Sequence, residues 1–394
     1  MLKGNLFKQI KKIGNKYQVH IYLVGGPLRD KILGRKTKDI DILVDKLITT
    51  VGSELAKTLN AKFQYYQDFN TGTITLNDQH IDIAQTRKEI YLHPGVLPKV
   101  FPADLVSDLF RRDFTINAMA QDLTTGELID PYQGLKDLKK RVIRVLHEKS
   151  FIDDPTRIFR AIRFAERFNF KIEPNTLKWL RAAITQKLPS LLSGERILNE
   201  LRLIVKEAKC ERMIERLNRA GLFESLFGKK LLITFFRQFR KVEKSADANL
   251  ELIHILAQFD SLNNFPITKQ ESAAIRDWQR FHQIRKSLLK ARRPSEIYKI
   301  LKGFSNEALG IAVLVEDKSI NLKIKNYQNR YRRVNTQIGG DDIKALGINP
   351  GVIYKKLLED ILFARLDGKV KTQADELRLL KKMIAERKVG LFDW

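Results

Sequence analysis

The stretch from Ile21 to Val44 constrains the fold more than any other part of the chain. It begins with the apolar run Ile21–Val24, which predicts a short buried strand that stops at Gly25-Gly26. Pro27 suits the first turn of a helix that follows directly. Backbone N–H groups at such a helix start can face an anion, and the helix dipole adds to the attraction. The stretch therefore predicts a strand, a glycine turn and a helix that can bind phosphate.

Two carboxylates follow in the next apolar run, where Asp39 and Asp41 bracket Ile40. In a strand, residues i and i+2 point to the same face, so the two side chains lie close together. Because their charges repel each other unless a cation lies between them, the pair indicates a magnesium site. Gly-Gly turns and Asp-x-Asp pairs also occur by chance in many proteins. Their succession within one short stretch favours metal-assisted phosphoryl or nucleotidyl transfer.

These residues also carry a resemblance. GGPLRD followed by KDIDILV resembles the first motif of the nucleotidyltransferase superfamily, in the form of class II tRNA nucleotidyltransferases and bacterial poly(A) polymerases. The resemblance implies that Asp39 and Asp41 are catalytic ligands of Mg²⁺ and that Gly26 and Arg29 bind the nucleotide. It also implies a third catalytic carboxylate, Asp82 in the segment IDIAQTR, if its strand lies beside the one that carries Asp41.

A second strong stretch is RRDFTINAMA, which begins with Arg111 and Arg112. Two arginines beside an aspartate are by default a surface ion pair. Arginine also suits a triphosphate, because its planar guanidinium binds phosphate oxygens bidentately and never loses its charge. The stretch resembles the second motif of the same family almost letter for letter. The resemblance implies that Arg112, and with it Arg111, binds the nucleotide.

The segment FIDDPTRIFRAIRF predicts a helix with Asp154 as N-cap and Pro155 at its first position. Its apolar residues recur at helical spacing and predict one buried face. Arg157, Arg160 and Arg163 recur every third residue on another side, and the plain interpretation is a solvated basic face.

DDPTR in this helix resembles the family motif in which an acid and an arginine pair with the base of the incoming nucleotide. The resemblance implies that Asp154 accepts from an exocyclic amino group while Arg157 donates to ring acceptors, which selects cytosine and adenine. Arg160 and Arg163 are further nucleotide-binding candidates. Asp153 stands where many members carry Glu, and its role stays open.

Two further segments bear on this site. Residues 88–108 contain three prolines and a glycine, so we expect a loop without a helix. Its place matches the flexible loop that helps family members switch between nucleotides.

The segment SGERILNE resembles the family's ERxxxE motif and predicts an Arg196–Glu200 ion pair one helical turn apart, with a structural role in the neck.

Charge is distributed unevenly along the 394 residues. The formal net charge is +26, of which residues 1–140 carry only +5 and residues 141–394 carry +21. A strongly basic C-terminal part favours a polyanionic partner over a merely lysine-rich surface. Within the family such regions bind tRNA, so tRNA, ATP and CTP are the expected partners, and no protein partner can be inferred.

The number of cysteines and the hydropathy of the chain exclude several classes of protein. A single cysteine, Cys210, rules out an internal disulfide and a cysteine-based zinc site. The N-terminal segment has no apolar core of a signal peptide, and there is no apolar run long enough for a membrane span. We therefore expect a cytoplasmic enzyme without membrane association.

The expected fold is an α+β nucleotidyltransferase head with a small mixed β-sheet, followed by all-α neck, body and tail domains. The expected bounds are 1–140 for the catalytic head, 141–205 for the base-reading neck, 206–330 for the body and 331–394 for the tRNA-binding tail.

The expected function is addition of C and A to tRNA 3′ ends from CTP and ATP, with full CCA addition preferred. An A-only enzyme stays open, and a CC-only enzyme is least favoured because the 88–110 loop is long. A poly(A) polymerase and a catalytically inactive RNA-binding relative are less favoured than tRNA nucleotidyl transfer but also stay open.

Overall fold

The computed structural model describes residues 2–36, 40–76, 79–233 and 247–389, and Asp39 lies outside these ranges. The chain divides into two compact units. The first runs to Leu231 and includes residues 263–265, and the second comprises residues 232–262 and the chain from Pro266 onward. The predicted four-part division is finer than these two units and stays a prediction.

The first unit is built on a seven-stranded mixed sheet in the order β3-β4-β5-β2-β1-β8-β9. Its strands are β1 (Ile21–Val24), β2 (Ile40–Val44), β3 (Lys62–Tyr66), β4 (Thr71–Leu76), β5 (Gln79–Gln85), with β8 (Ala120–Asp122) and β9 (Leu128–Ile129) at one edge. A separate hairpin pairs β6 (Arg87–Ile90) with β7 (Lys99–Pro102). Among the described strands of the sheet, β2 and β5 pair in parallel and their neighbours pair antiparallel. The mixed sheet confirms the predicted fold class of the head.

Strand alternation explains which face of the sheet is covered. Every residue of β1 is buried, because this strand lies between β2 and β8 with both faces packed. One face contributes Tyr22, Val24, Leu43 and Ala120 to a core that also contains Leu109 and Ala118. Asp41 shares this face with Leu43, two residues away, since side chains alternate along a strand. The core thus ends beside Asp41.

Helices surround this sheet and continue beyond it. Those of the head are α1 (Leu2–Tyr17), α2 (Gly25–Ile32), α3 (Ile48–Leu59), α4 (Leu105–Phe110) and α5 (Gly134–Lys140). Those that follow are α6 (Ser150–Asp153), α7 (Thr156–Phe168), α8 (Pro174–Thr185), α9 (Gly194–Val205), α10 (Cys210–Arg219) and α11 (Leu222–Phe227). One small departure from the expected all-helical part is a parallel pair of two-residue strands, β10 (Val142–Ile143) and β11 (Lys171–Ile172).

The prediction for residues 88–108 was wrong in part. The prolines do exclude a helix from the middle of this segment, but its two ends pair as β6 and β7, leaving residues 91–98 as the tip. Pro102 is tolerated because it lies in a two-stranded hairpin, where its missing N–H does not interrupt a larger sheet. Helix α4 then begins at Leu105, with the Asp104 carboxylate accepting from Ser107 N at 2.7 Å.

The second unit is helical throughout its described part. Its helices are α12 (Ala248–Leu256), α13 (Lys269–Lys290), α14 (Pro294–Leu301), α15 (Asn306–Val315), α16 (Lys318–Asn329), α17 (Gly340–Ala345), α18 (Val352–Leu366) and α19 (Gln373–Val389). Within its C-terminal part, the fully buried Glu376 accepts from the backbone N–H groups of Gln337 and Ile338 at 2.7 and 3.1 Å. None of the helices in the described ranges is long and apolar enough to cross a lipid bilayer.

Candidate active site

The candidate site is a cavity of about 580 Å³ within the first unit. Its walls come from the turn between β1 and α2, from β2, from the β6–β7 hairpin, from the segment that follows α4, from α7 with the residues before it, and from the start of α9. Of the predicted site residues, those that line it are Gly26, Arg29, Asp41, Arg111, Arg112, Asp154, Arg157, Arg160 and Arg163. Asp82 does not line the cavity, and Asp39 is outside the described residues.

The glycine turn at the N-terminus of α2 allows the side chains of Arg112 and Asp41 to approach the backbone closely. Gly25 adopts a φ of +64°, and a Cβ there would lie 3.1 Å from the Nη1 atom of Arg112 and 3.5 Å from the Oδ2 atom of Asp41. Val24 precedes the helix and provides no side-chain cap, so the first-turn N–H groups have no side-chain acceptor there. The turn therefore combines helix N–H groups, a guanidinium and a carboxylate.

Asp41 and Asp82 are direct partners in the parallel β2–β5 ladder. Adjacent strands lie about 4.8 Å apart, and paired residues point to the same face. Asp82 is exposed and accepts from Thr73 Oγ1 at 2.8 Å, while Asp41 is half-buried at the cavity wall. The resemblance implies a catalytic role for Asp82 only if its strand lies beside the strand of Asp41. The two strands are neighbours, so this condition is met.

This donor set fits a hard divalent cation. Carboxylate oxygens are the ligands that Mg²⁺ takes, and the two groups lie side by side at an open part of the sheet. No cluster of three His, Cys, Asp or Glu side chains arranged for a metal occurs among the described residues, a set that does not contain Asp39.

Arg111 and Arg112 share a buried acceptor. Asp108 is fully buried; its Oδ2 atom lies 2.9 Å from Arg111 and its Oδ1 atom 3.1 Å from Arg112. Arg111 also reaches Glu89 of the hairpin at 2.7 Å. Burial alone would lower the pKa of Arg111, but Asp108 and Glu89 raise it above its ordinary value. Both guanidinium groups therefore lie at the cavity wall, paired with a buried carboxylate and not as a surface ion pair.

Arg29 is an anchored rather than a mobile cation. It is only 4% exposed, and it donates to the Asn117 side chain at 2.6 Å and to Asp30 at 2.9 Å. Its guanidinium lies 4.6 Å from the ring centre of Phe168. Burial lowers the pKa of Arg29 below its ordinary value, although an arginine keeps its charge.

Asp154 and Arg157 lie together at the start of α7. The helix begins at Thr156, one residue later than an Asp154 N-cap requires, yet Asp154 Oδ1 still accepts from Thr156 N at 3.0 Å. Arg157 donates to Ser150 Oγ at 2.6 Å and to the carbonyl oxygen of Arg111 at 2.7 Å. The Arg157 Nε atom is 3.9 Å from Asp154 Oδ2. The acid and the arginine are thus adjacent and held in place by protein contacts.

The two arginines farther along α7 do not form a solvated face. Arg163 is 5% exposed and lies 3.6 Å from Glu200 of α9, while Arg160 binds Asp113 through two contacts of 2.6 and 2.9 Å. Burial acts to raise the pKa of Asp113, but Arg160 and Asn117 outweigh it and lower the pKa below its ordinary value. The predicted basic stripe is therefore an internal ion-pair network that borders the cavity.

Arg196 is the site residue whose role the sequence did not indicate. The predicted Arg196–Glu200 ion pair is not the contact found. Arg196 instead donates to Asp154 Oδ1 at 2.7 Å and to the carbonyl oxygen of Gly95, at the hairpin tip, at 2.7 Å. The ERxxxE pattern signalled the residue, but its local spacing pointed to the wrong partner.

Comparisons with known proteins found relatives over most of this chain. The model of the Poly A polymerase head domain matches residues 21–144, and the model described as the probable RNA and SrmB-binding site of polymerase A matches residues 169–231. The A-adding tRNA nucleotidyltransferase of Geobacter sulfurreducens is 32% identical over 96% of this chain. The chain spans only 47% of the length of that relative.

Other relatives match over nearly their whole length. The A-adding tRNA nucleotidyltransferase of Halalkalibacterium halodurans is 28% identical, with 96% of this chain and 92% of the relative covered. A solved CCA-adding enzyme in apo form II is 30% identical with a TM-score of 0.81, covering 97% of this chain and 95% of that chain. The Thermotoga maritima CCA-adding enzyme complexed with tRNA is 30% identical with a TM-score of 0.74, covering 96% and 95%.

Proposed function

This chain belongs to the family of class II tRNA nucleotidyltransferases and bacterial poly(A) polymerases, and on that premise we propose that it adds the terminal A to the 3′ end of tRNA. The observation that carries nucleotidyl transfer is the arrangement of charged groups along the cavity of about 580 Å³, and the A-adding relatives favour A as the nucleotide. Near Asp41 the cavity is lined by the glycine turn and the Arg112 guanidinium. Elsewhere it is lined by Asp154 and Arg157, an acid and an arginine that suit the base of a nucleotide. ATP and tRNA are the proposed substrates.

The triphosphate fits the end formed by the α2 N-terminus and Arg112. First-turn N–H groups bind anions, and arginine binds phosphate oxygens bidentately. Arg111 lies on the same wall, where its fixed charge stabilises the pyrophosphate that leaves when the tRNA 3′-oxygen bonds to the α-phosphorus. The positive charges are in place before reaction, so they cost little reorganisation in the transition state.

The base fits the end formed by Asp154 and Arg157. Three donors hold Asp154 Oδ1, namely Thr156 N, Thr156 Oγ1 and Arg196. Oδ2 is the oxygen that we assign to the exocyclic amino group of the base. Arg157 then donates to a ring acceptor. Cytosine and adenine offer this amine–acceptor pair, whereas uracil and guanine present carbonyls, so the pair rejects UTP and GTP.

Class II nucleotidyltransferases are metal-dependent, and we assign Mg²⁺ to Asp41 with Asp39 and Asp82. When bound, the metal supplies activation of the primer hydroxyl and neutralisation of phosphate charge. Asp41 holds its carboxylate beside the glycine turn, where the phosphates of the nucleotide are expected. Thr73 orients Asp82 by donating to it.

Different observations support an A-adding enzyme and a CCA-adding enzyme. Terminal A addition is favoured by the A-adding relatives. Full CCA addition, the outcome preferred from sequence, is favoured by the CCA-adding enzymes of known structure, including complexes with ATP and with CTP. Asp154 and Arg157 satisfy both bases and do not choose between them.

One experiment separates these subtypes and a catalytically inactive protein. The purified chain with Mg²⁺ is given tRNA ending before C74 with CTP and ATP, or tRNA ending in CC with ATP alone. An A-adding enzyme extends only the second tRNA, and a CCA-adding enzyme extends both. Extension of the first tRNA by two C residues without A, or of neither tRNA, would refute the proposal. Asp41→Asn is the matched inactive control.

A further inference from the structure

A second cavity of about 650 Å³ lies beside the nucleotide cavity in the first unit. We call it the aromatic cleft, defined by Phe110, Tyr132 and His147 with Lys88, Lys149 and Asp153. Arg111 and Arg157, which line the nucleotide cavity, also line this cleft. The two cavities are therefore neighbours that share a wall.

Phe110 is the central ring of the cleft. It ends α4 and remains 44% exposed, although its ring centre is 5.0 Å from that of His147 and 5.6 Å from that of Tyr132. Tyr132 is held in place, since its hydroxyl donates to the carbonyl oxygen of Val106 at 3.1 Å. The three rings form a supported aromatic surface that is open to solvent on one side.

The charges around this surface suit one phosphodiester rather than a triphosphate. Lys88 and Lys149 are exposed, and neither has an ion-pair partner in the part of the chain described. Glu89, Glu148 and Asp153 also line the cleft, so it lacks the excess of cations that a free nucleoside triphosphate requires. A single strand of RNA carries one charge per nucleotide and presents flat bases.

Asp153 gives the cleft a group that can read a base. Its carboxylate lies 3.9 Å from His147 Nε2 and lines this cleft, whereas its neighbour Asp154 lines the nucleotide cavity. Burial and Arg157 lower the pKa of His147, so its ring is neutral at pH 7 and offers an uncharged stacking surface. The carboxylate can accept from the exocyclic amine of cytosine.

We propose that the aromatic cleft binds one nucleotide of the single-stranded 3′ end of the RNA being extended, with its base stacked on Phe110. Asp153 accepts from the amine of that base, and Lys88 and Lys149 contact its phosphate. This inference rests on the proposed function, because it places the strand that receives the new nucleotide next to the nucleotide cavity. It also gives Asp153, unassigned from sequence, a role distinct from that of Asp154.

The test uses an acceptor-stem minihelix that ends in CC, with 2-aminopurine replacing the second base from the 3′ end. Stacking quenches this fluorophore. The full chain is expected to quench it, and Phe110→Ala is expected to abolish the quenching and raise the KM for the minihelix about tenfold, the scale of one base–aromatic stack. Phe110→Trp should preserve both readouts, and Phe110→Leu should behave like alanine. Tyr65→Ala, an exposed ring outside both cavities, is the control.

The outcomes separate this inference from the proposed function. If the wild type quenches through Phe110 but adds no nucleotide, the cleft assignment stands and the proposed function fails. If the wild type adds nucleotides while Phe110→Ala leaves quenching and KM unchanged, the cleft assignment is refuted. Retention of both readouts by Phe110→Leu would refute stacking, and reversal of the quench by millimolar CMP would show a mononucleotide site instead.

Discussion

Arg196→Lys is expected to impair the base-reading end of the cavity without unfolding the protein. Arg196 spans two acceptors, Asp154 Oδ1 and the Gly95 carbonyl, each at 2.7 Å. Lysine keeps the positive charge, but its single ammonium group lacks the fork that reaches both acceptors at once. The lysine therefore loses either the contact that orients Asp154 or the contact that holds the hairpin tip at Gly95.

The expected magnitude follows from these two contacts. A hydrogen bond to a charged group contributes about 1.5–3 kcal/mol, and Arg196 is mostly buried, with 23% of its side chain exposed. Losing one such contact at about 2 kcal/mol corresponds to a roughly thirtyfold fall in kcat/KM for ATP. Discrimination against GTP should fall with it, because Asp154 is then held by Thr156 alone and its Oδ2 atom is directed less firmly towards an amine.

The assay is single-turnover addition of A to tRNA ending in CC, over a range of ATP concentrations, with GTP as competitor. Gly95→Ala tests the hairpin contact separately. Its φ of +77° disfavours a side chain, and the new Cβ would lie 3.1 Å from Leu191 Cβ. Arg181→Lys, on the exposed side of α8, is the matched control. A kcat/KM for Arg196→Lys within about threefold of wild type, with unchanged selection against GTP, would refute the coupling.

Three further predictions address the metal, an ion pair and the basic surface. Asp41→Asn should reduce nucleotide addition by more than about tenfold while circular dichroism and tRNA affinity stay unchanged, and residual activity above that level would contradict the metal assignment. Asp113→Asn should lower the free energy of unfolding by about 2–3 kcal/mol at pH 7, because it leaves the Arg160 guanidinium without its carboxylate. The pKa of Asp113 in the folded protein lies below 3.8. The loss of stability in Asp113→Asn should therefore be fully present above pH 3.8 and shrink as the pH falls through the folded-state pKa. A loss of stability that persists in acid would contradict the ion pair. Affinity for tRNA should fall steeply between about 50 and 200 mM salt on account of the +21 charge of residues 141–394, and a flat salt dependence measured by filter binding would assign that charge to solubility alone.

Local patterns were sufficient for several parts of the site. The apolar run Ile21–Val24 and the glycines after it determined a strand, a turn with positive φ and a helix start, since each depends on neighbouring residues. Apolar spacing after Asp154 likewise determined α7, whose predicted face is buried in the structure. The resemblance identified residues that line the cavity, and their individual roles remain predictions.

Tertiary packing decided which of these residues meet. Arg196 contacts groups 42 and 101 positions away in the chain, and no periodicity within α9 could reveal either partner. The arginines of α7 looked solvated, because sequence spacing shows that residues share a helix face but not what covers it. The same limit applied to residues 88–108, where pairing of β6 with β7 depends on register between separated segments. A chain's local preferences set its elements, whereas the partners of long charged side chains are set only when those elements pack.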